Sequence, residues 1–159
     1  MNIIGLGIDE TLIGTGADDT IIGGSGNDEI LGLAGCDTLD GSPDDDMVDG
    51  GADADKITGA AGNDTLIGGN GDDRVFGGLD DDEIFGGAGD DSLLGDDGKD
   101  TISGGKGMDT LEGGIGNDSL MGDGDDDTLI GGEGDDTLDG GSGTNSIFGN
   151  DGNDFIIGG

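Results

Sequence analysis

The sequence has no histidine, tyrosine or tryptophan, so it lacks the commonest general base and the usual stacking residues. No enzymatic role is expected of it. Its single cysteine, Cys36, cannot form an internal disulfide, and its single proline excludes collagen despite 42 glycines in 159 residues. Only 4 Lys and Arg stand against 39 Asp and Glu, a formal charge of -35 that makes nucleic acid or an anionic membrane repulsive and leaves cations as partners. No apolar run approaches the ~20 residues of a membrane span. Met1 to Ile13 carries no Lys or Arg ahead of its apolar residues, so no cleavable export signal is expected. Leu, Ile, Val and Phe together supply 35 residues, a composition close to that of disordered chains.

Order enters through a repeat. Glycine recurs every nine residues from Gly5 to Gly149, and the 153 residues from Gly5 to Ile157 form 17 units of nine without insertion. One uninterrupted domain over residues 1–159 is expected. The eighth place of the unit is aliphatic in all 17, from Leu12 and Ile21 through to Ile147 and Ile156, and the sixth is Asp in 15, the exceptions being Glu10 and Asn145. A solvated acidic tail has no reason to keep this phase. Within the unit, glycine supplies positive backbone dihedrals for a six-residue turn, and the three residues after Asp alternate outward and inward as a short strand whose eighth place points in. Strands so short need equivalent neighbours about 4.8 Å away, which makes a parallel sheet and a solenoid.

Curled glycine backbone exposes carbonyl oxygens, and the Asp at the end of each turn adds a carboxylate beside them. Oxygen donors without histidine or a useful cysteine set point away from zinc, copper and iron and toward calcium, since magnesium prefers to keep its waters. An EF-hand is rejected because the run Asp123-Gly124-Asp125-Asp126-Asp127 has Thr128 where that loop needs glycine and Gly134 where it needs Glu. A P-loop is rejected because Gly98-Lys99 is followed by Asp100.

The clearest unit reads Gly23-Gly24-Ser25-Gly26-Asn27-Asp28-Glu29-Ile30-Leu31, with near copies at Gly59, Gly68, Gly86, Gly113 and Gly131. It has the form G-G-x-G-x-D-x-U-x, and the chain resembles the calcium-binding nonapeptide region of RTX (repeats-in-toxin) proteins, the hemolysin-type repeats, over essentially its whole length. That resemblance implies a right-handed parallel β-roll of 17 repeats, two to an 18-residue coil, about eight and a half coils. Spacing alone would also allow other solenoid cross-sections. It further implies ions held between a turn and the turn one coil away, shared by the sixth-place Asp residues of both. Carried over, one stack runs Glu10, Asp28, Asp46, Asp64, Asp82, Asp100, Asp118, Asp136, Asp154, and the other Asp19, Asp37, Asp55, Asp73, Asp91, Asp109, Asp127, Asn145. The carbonyl ligands would come from turn glycines such as Gly23, Gly24 and Gly26, Gly68, Gly69 and Gly71, Gly86, Gly87 and Gly89, Gly104, Gly105 and Gly107, Gly113, Gly114 and Gly116, and Gly131, Gly132 and Gly134. Up to 15 calcium ions would then fit, whose +30 nearly matches the -35 of the chain.

The first two turns, where Leu6, Ile8 and Ala17 replace glycine, are expected to bind poorly or to cap the roll, and Pro43 puts the geometry of its own turn in question. Fourth-place Asp44, Asp53, Asp80 and Asp125 suit a left-handed backbone, which Asp tolerates. The resemblance implies a secreted, extracellular structural module, disordered without calcium. An adhesin or other interaction module is the alternative, using outward ninth-place residues: Phe76 would stack with Leu94, and Ile67 with Phe85, one coil apart on opposite sheets. Seventh-place threonines could form an ice-binding ladder, but Lys56 and Arg74 interrupt one face and Glu29, Met47 and Glu83 the other, and threonine is an ordinary strand residue.

Overall fold

The computed structural model describes residues 1–158. The strands are β1 (Asn2–Ile4), β2 (Thr11–Ile13), β3 (Thr20–Ile22), β4 (Glu29–Ala34), β5 (Thr38–Pro43) and β6 (Met47–Ala52). They continue as β7 (Lys56–Ala61), β8 (Thr65–Asn70), β9 (Arg74–Leu79), β10 (Glu83–Ala88), β11 (Ser92–Asp97) and β12 (Thr101–Lys106). The last six are β13 (Thr110–Ile115), β14 (Ser119–Gly124), β15 (Thr128–Glu133), β16 (Thr137–Asp139), β17 (Ser146–Asp151) and β18 (Phe155–Ile157). Odd strands form one nine-stranded sheet and even strands the other, so successive units alternate between the two faces of a parallel β-solenoid. Every pair is parallel and joins residues 18 apart, for example Ile84 with Leu66 and Ile102. Among the described residues no helix is long and apolar enough to cross a membrane.

Two expectations change in detail. The strands number 18 because Asn2–Ile4, ahead of the first repeat glycine, pairs with Thr20–Ile22 and begins the roll, giving nine coils in place of eight and a half. The usual strand is also six residues long, not three. It runs through places seven to nine and on through places one to three of the next unit, which confines the tight turn to places four to six. The ladder can continue because second- and fourth-place residues take positive φ, such as 112° at Gly69 and 134° at Gly71, and the chain closes around them. Asp44, Asp53, Asp80 and Asp125 adopt this left-handed backbone too, at 76° to 86°. Pro43 leaves its turn unchanged, since Ser42 and Asp44 on either side keep the positive φ of the other turns.

The core is a single column pair. Fourteen eighth-place aliphatics from Ile21 to Leu138 are buried, with Ile3, Leu12 and Ile147 packed against them, while Ile156 in β18 is exposed. Burial alternates with the pleat, so places six, eight and one face inward and place seven faces water. Ninth-place residues look outward: Phe85 pairs with Ile67 in one sheet and Leu94 with Phe76 in the other, and the Lys56 ammonium lies 5.8 Å from the Phe76 ring centroid.

Candidate metal sites

Because the inward set includes place six, the aspartates of the repeat do not lie on the surface. Asp19 to Asp136, fourteen residues at nine-residue intervals, are each 1–4% exposed. A carboxylate inside a protein must be paired, bonded or protonated. One oxygen of each is provided for: in twelve of them Oδ1 accepts the backbone N–H of the Asp one coil earlier at 2.7–2.9 Å, as in Asp64 to Asp82 and Asp82 to Asp100, while Asp28 Oδ1 accepts the Glu10 N–H and Asp19 Oδ1 accepts from the amino terminus. The other is not. Oδ2 is buried without any partner in thirteen of them, from Asp28 to Asp136.

These orphaned oxygens face the first-place glycines. A Cβ added to Gly68 would lie 2.5 Å from Asp73 Oδ2 and 2.7 Å from the carbonyl oxygen of Gly86, one coil on. At Gly23 the corresponding distances are 2.6 Å to Asp28 Oδ2 and 2.5 Å to the Gly41 carbonyl oxygen. The space kept open by the missing side chain is thus bordered by a carboxylate oxygen and a carbonyl oxygen, two acceptors with no donor between them. Such an arrangement fits a hard cation. Among the described residues no three acidic or cysteine side chains converge on one point, so backbone carbonyls have to complete any coordination shell.

The electrostatics agree. Burial, opposed in part by the coil-to-coil N–H bond and reinforced by neighbouring aspartates, pushes Asp46, Asp55, Asp82 and Asp91 up to about 7. The same desolvation pushes Asp64, Asp100, Asp109 and Asp118 up to about 6, and raises Asp37, Asp73, Asp127 and Asp136. Without a cation these groups resist ionisation.

The turns at the two ends differ. Asp19 Oδ2 accepts both the backbone N–H and the hydroxyl of Thr15, at 2.6 and 2.9 Å, and a carboxylate oxygen of Glu10 accepts the N–H of Leu6. The first two turns therefore satisfy their carboxylates internally, and their Leu6, Ile8, Thr15 and Ala17 lack the positive φ of the later turns. Asp154, near the other end, is only half-buried and accepts the Asp136 N–H at 3.1 Å.

A second ladder lies beside the first. Asp or Asn at place five accepts the N–H of the residue 18 later in ten instances at 2.7–3.1 Å, among them Asp72 from Asp90 and Asn117 from Asp135. It reaches forward along the roll where place six reaches back. At Asn27, Cys36 and Met108, where no such forward bond is made, fourth-place Asp44, Asp53 and Asp125 of the next coil accept the N–H of Gly26, Gly35 and Gly107 instead. The sequence carried a signal for this ladder, since 12 of the 17 fifth-place residues are Asp or Asn.

Comparison with known proteins agrees with this geometry. A family model described as the RTX calcium-binding nonapeptide repeat (4 copies) matches at residues 4–39, 32–66, 49–84, 58–93, 67–102, 76–111, 94–129, 103–138 and 130–159. No curated protein matches the chain.

Proposed function

The chain belongs to the RTX calcium-binding nonapeptide repeat family, and we propose that its calcium binding is what allows it to fold, making it a calcium-dependent structural module of a secreted protein. The observation that carries this reading is the set of thirteen buried, unpartnered Oδ2 atoms facing carbonyl oxygens. Sixth-place carboxylates and turn carbonyls, those of the first-place glycines foremost, would hold the ions. Calcium bound there supplies positive charge and an oxygen-coordinating centre between groups that otherwise repel. The chain's own part is to present one free carboxylate oxygen per turn while the other is fixed by the neighbouring coil. Weak sites that fill only at extracellular, millimolar calcium suit a module that stays unfolded where calcium is scarce.

The experiment is a calcium titration of chelator-treated protein followed by far-UV circular dichroism. A coil spectrum converting cooperatively to a β spectrum is expected. A native β spectrum persisting in excess chelator at low salt would contradict the coupling. An interaction module is the second reading, and the adjacent outward pairs Phe85–Ile67 and Phe76–Leu94 are what favour it.

A further inference from the structure

Sixteen of the seventeen turns end in a carboxylate, and the one that does not, Gly140–Asn145, contains its own answer to the problem the others share. The Asn145 Oδ1 accepts the Asp127 N–H at 2.8 Å, the coil-to-coil bond made by the sixth-place Asp from Asp28 onward, which fixes the orientation of the amide. Its Nδ2 therefore sits where an aspartate would place the orphaned Oδ2, and donates to the carbonyl oxygen of Gly140 at 2.6 Å. That carbonyl borders the cradle of the preceding even turn, beside Asp127 Oδ2, so an N–H donor now stands where the aspartate turns present only acceptors. We propose that the Asn145 amide takes the place of a calcium ion, so that this turn closes without metal. The even-unit stack is then bracketed by two metal-free turns, with the Thr15 hydroxyl and N–H closing the other on Asp19. This rests on the reading of the thirteen aspartate turns as calcium sites.

The backbone bears the marks of a turn closed differently. β16 stops at Asp139, where mid-roll strands continue three residues further. Gly141 donates to the Asp139 carboxylate, a local bond that ties the turn to the end of its own strand. An aspartate at 145 would lose the donor and gain a charge, and would become a fourteenth turn in need of a cation. Conversely, asparagine at an orphaned position supplies a donor to the carbonyl that the ion serves, while keeping the Oδ1 bond to the neighbouring coil.

The test compares three variants of the full chain: Asn145→Asp, an even-stack variant with Asp37, Asp55, Asp73, Asp91, Asp109 and Asp127 all changed to Asn, and the same six changed to Ala. Bound calcium is counted by equilibrium dialysis with elemental analysis, and order in chelator is followed by circular dichroism and limited proteolysis. Asn145→Asp should bind one more ion per chain than the wild type. The six-Asn variant should bind about six fewer ions and, in chelator, hold β structure and protease resistance that the six-Ala variant lacks. If Asn145→Asp gains no ion, or the six-Asn and six-Ala variants are equally disordered in chelator, the substitution of amide for ion is wrong even though the wild type binds calcium. Full calcium uptake by the six-Asn variant, or none by the wild type, would overturn the calcium-site reading and this inference together.

Discussion

Gly68→Ala adds one carbon at the point where the Asp73 carboxylate and the Gly86 carbonyl border an open space. Gly68 is buried and outside the left-handed region, so an alanine meets no backbone penalty there, and what it meets is packing alone. Its Cβ would fall 2.5 Å from Asp73 Oδ2, and about 0.9 Å of movement is needed to restore ordinary contact. Overpacking of that size costs about 1–3 kcal/mol, offset by roughly 0.4–1 kcal/mol from the stiffer unfolded chain. A net loss of about 1–2 kcal/mol, spread over the thirteen sites proposed above, moves the calcium midpoint at most about 1.3-fold, so the midpoint is a poor readout. Stoichiometry is the sensitive one: the cradle is filled, and one ion per chain should be lost in equilibrium dialysis. Gly69→Ala, at a φ of 112° and against the Gly51 carbonyl, should destabilise as much or more without losing an ion. Gly124→Ala, with nothing closer than 3.4 Å, should be within about 0.5 kcal/mol of the wild type. Retention of the full calcium complement by Gly68→Ala would show that the space between Oδ2 and the first-place carbonyl does not hold the ion.

Acid should act in opposite directions on the two forms. Burial raises Asp46, Asp55, Asp82 and Asp91 to about 7 and Asp64, Asp100, Asp109 and Asp118 to about 6, above the ~3.9 of an unfolded Asp. Between these values the folded apo chain binds more protons, so its stability falls as pH rises from about 4 to about 7 and returns on acidification. In chelator, β signal should therefore increase from pH 7.5 to pH 5, whereas with calcium the same shift competes with binding and raises the calcium midpoint. A chelated sample with no gain at pH 5 would contradict the burial of these groups. Position along the stack should matter as well: Asp82→Ala removes a free Oδ2 and strands the Asp64 N–H, about 1–3 kcal/mol beyond the ion itself. Asp154→Ala, half-buried with a 3.1 Å bond, should mainly fray the last coil. Equal losses of affinity by calorimetric titration would mean that the turns bind independently.

The columns at places one, six and eight were legible because a nine-residue period without insertion marks which positions are constrained, and the 18-residue coil followed from the resemblance. The length of the strands was not legible. Glycine at place two reads as a turn, and only the paired register shows that a positive φ there lets the ladder run on to place three. Direction was the harder matter. Nothing in an Asp at place six says that its side chain turns inward, because the alternation that predicts inward for place eight is a property of strands and place six belongs to the turn. Asn145 looked like a flaw at the end of a stack for the same reason: with no view of the Gly140 carbonyl, an amide is only a carboxylate that has lost its charge.

The two hydrogen-bond ladders also separate what calcium has to do from what it does not. Place six reaches back one coil and place five reaches forward, so most turns are tied to both neighbours by bonds that need no metal. Coil spacing and register therefore belong to the polypeptide. What the polypeptide leaves undone is neutralisation, because thirteen place-six Asp residues each bring a second, unbonded oxygen into the same buried column as their neighbours. Calcium, protons and an asparagine amide are three ways of meeting that one requirement. They differ in that the amide is permanent, the proton answers to pH, and only calcium leaves the carboxylates charged and the turn closed at neutral pH.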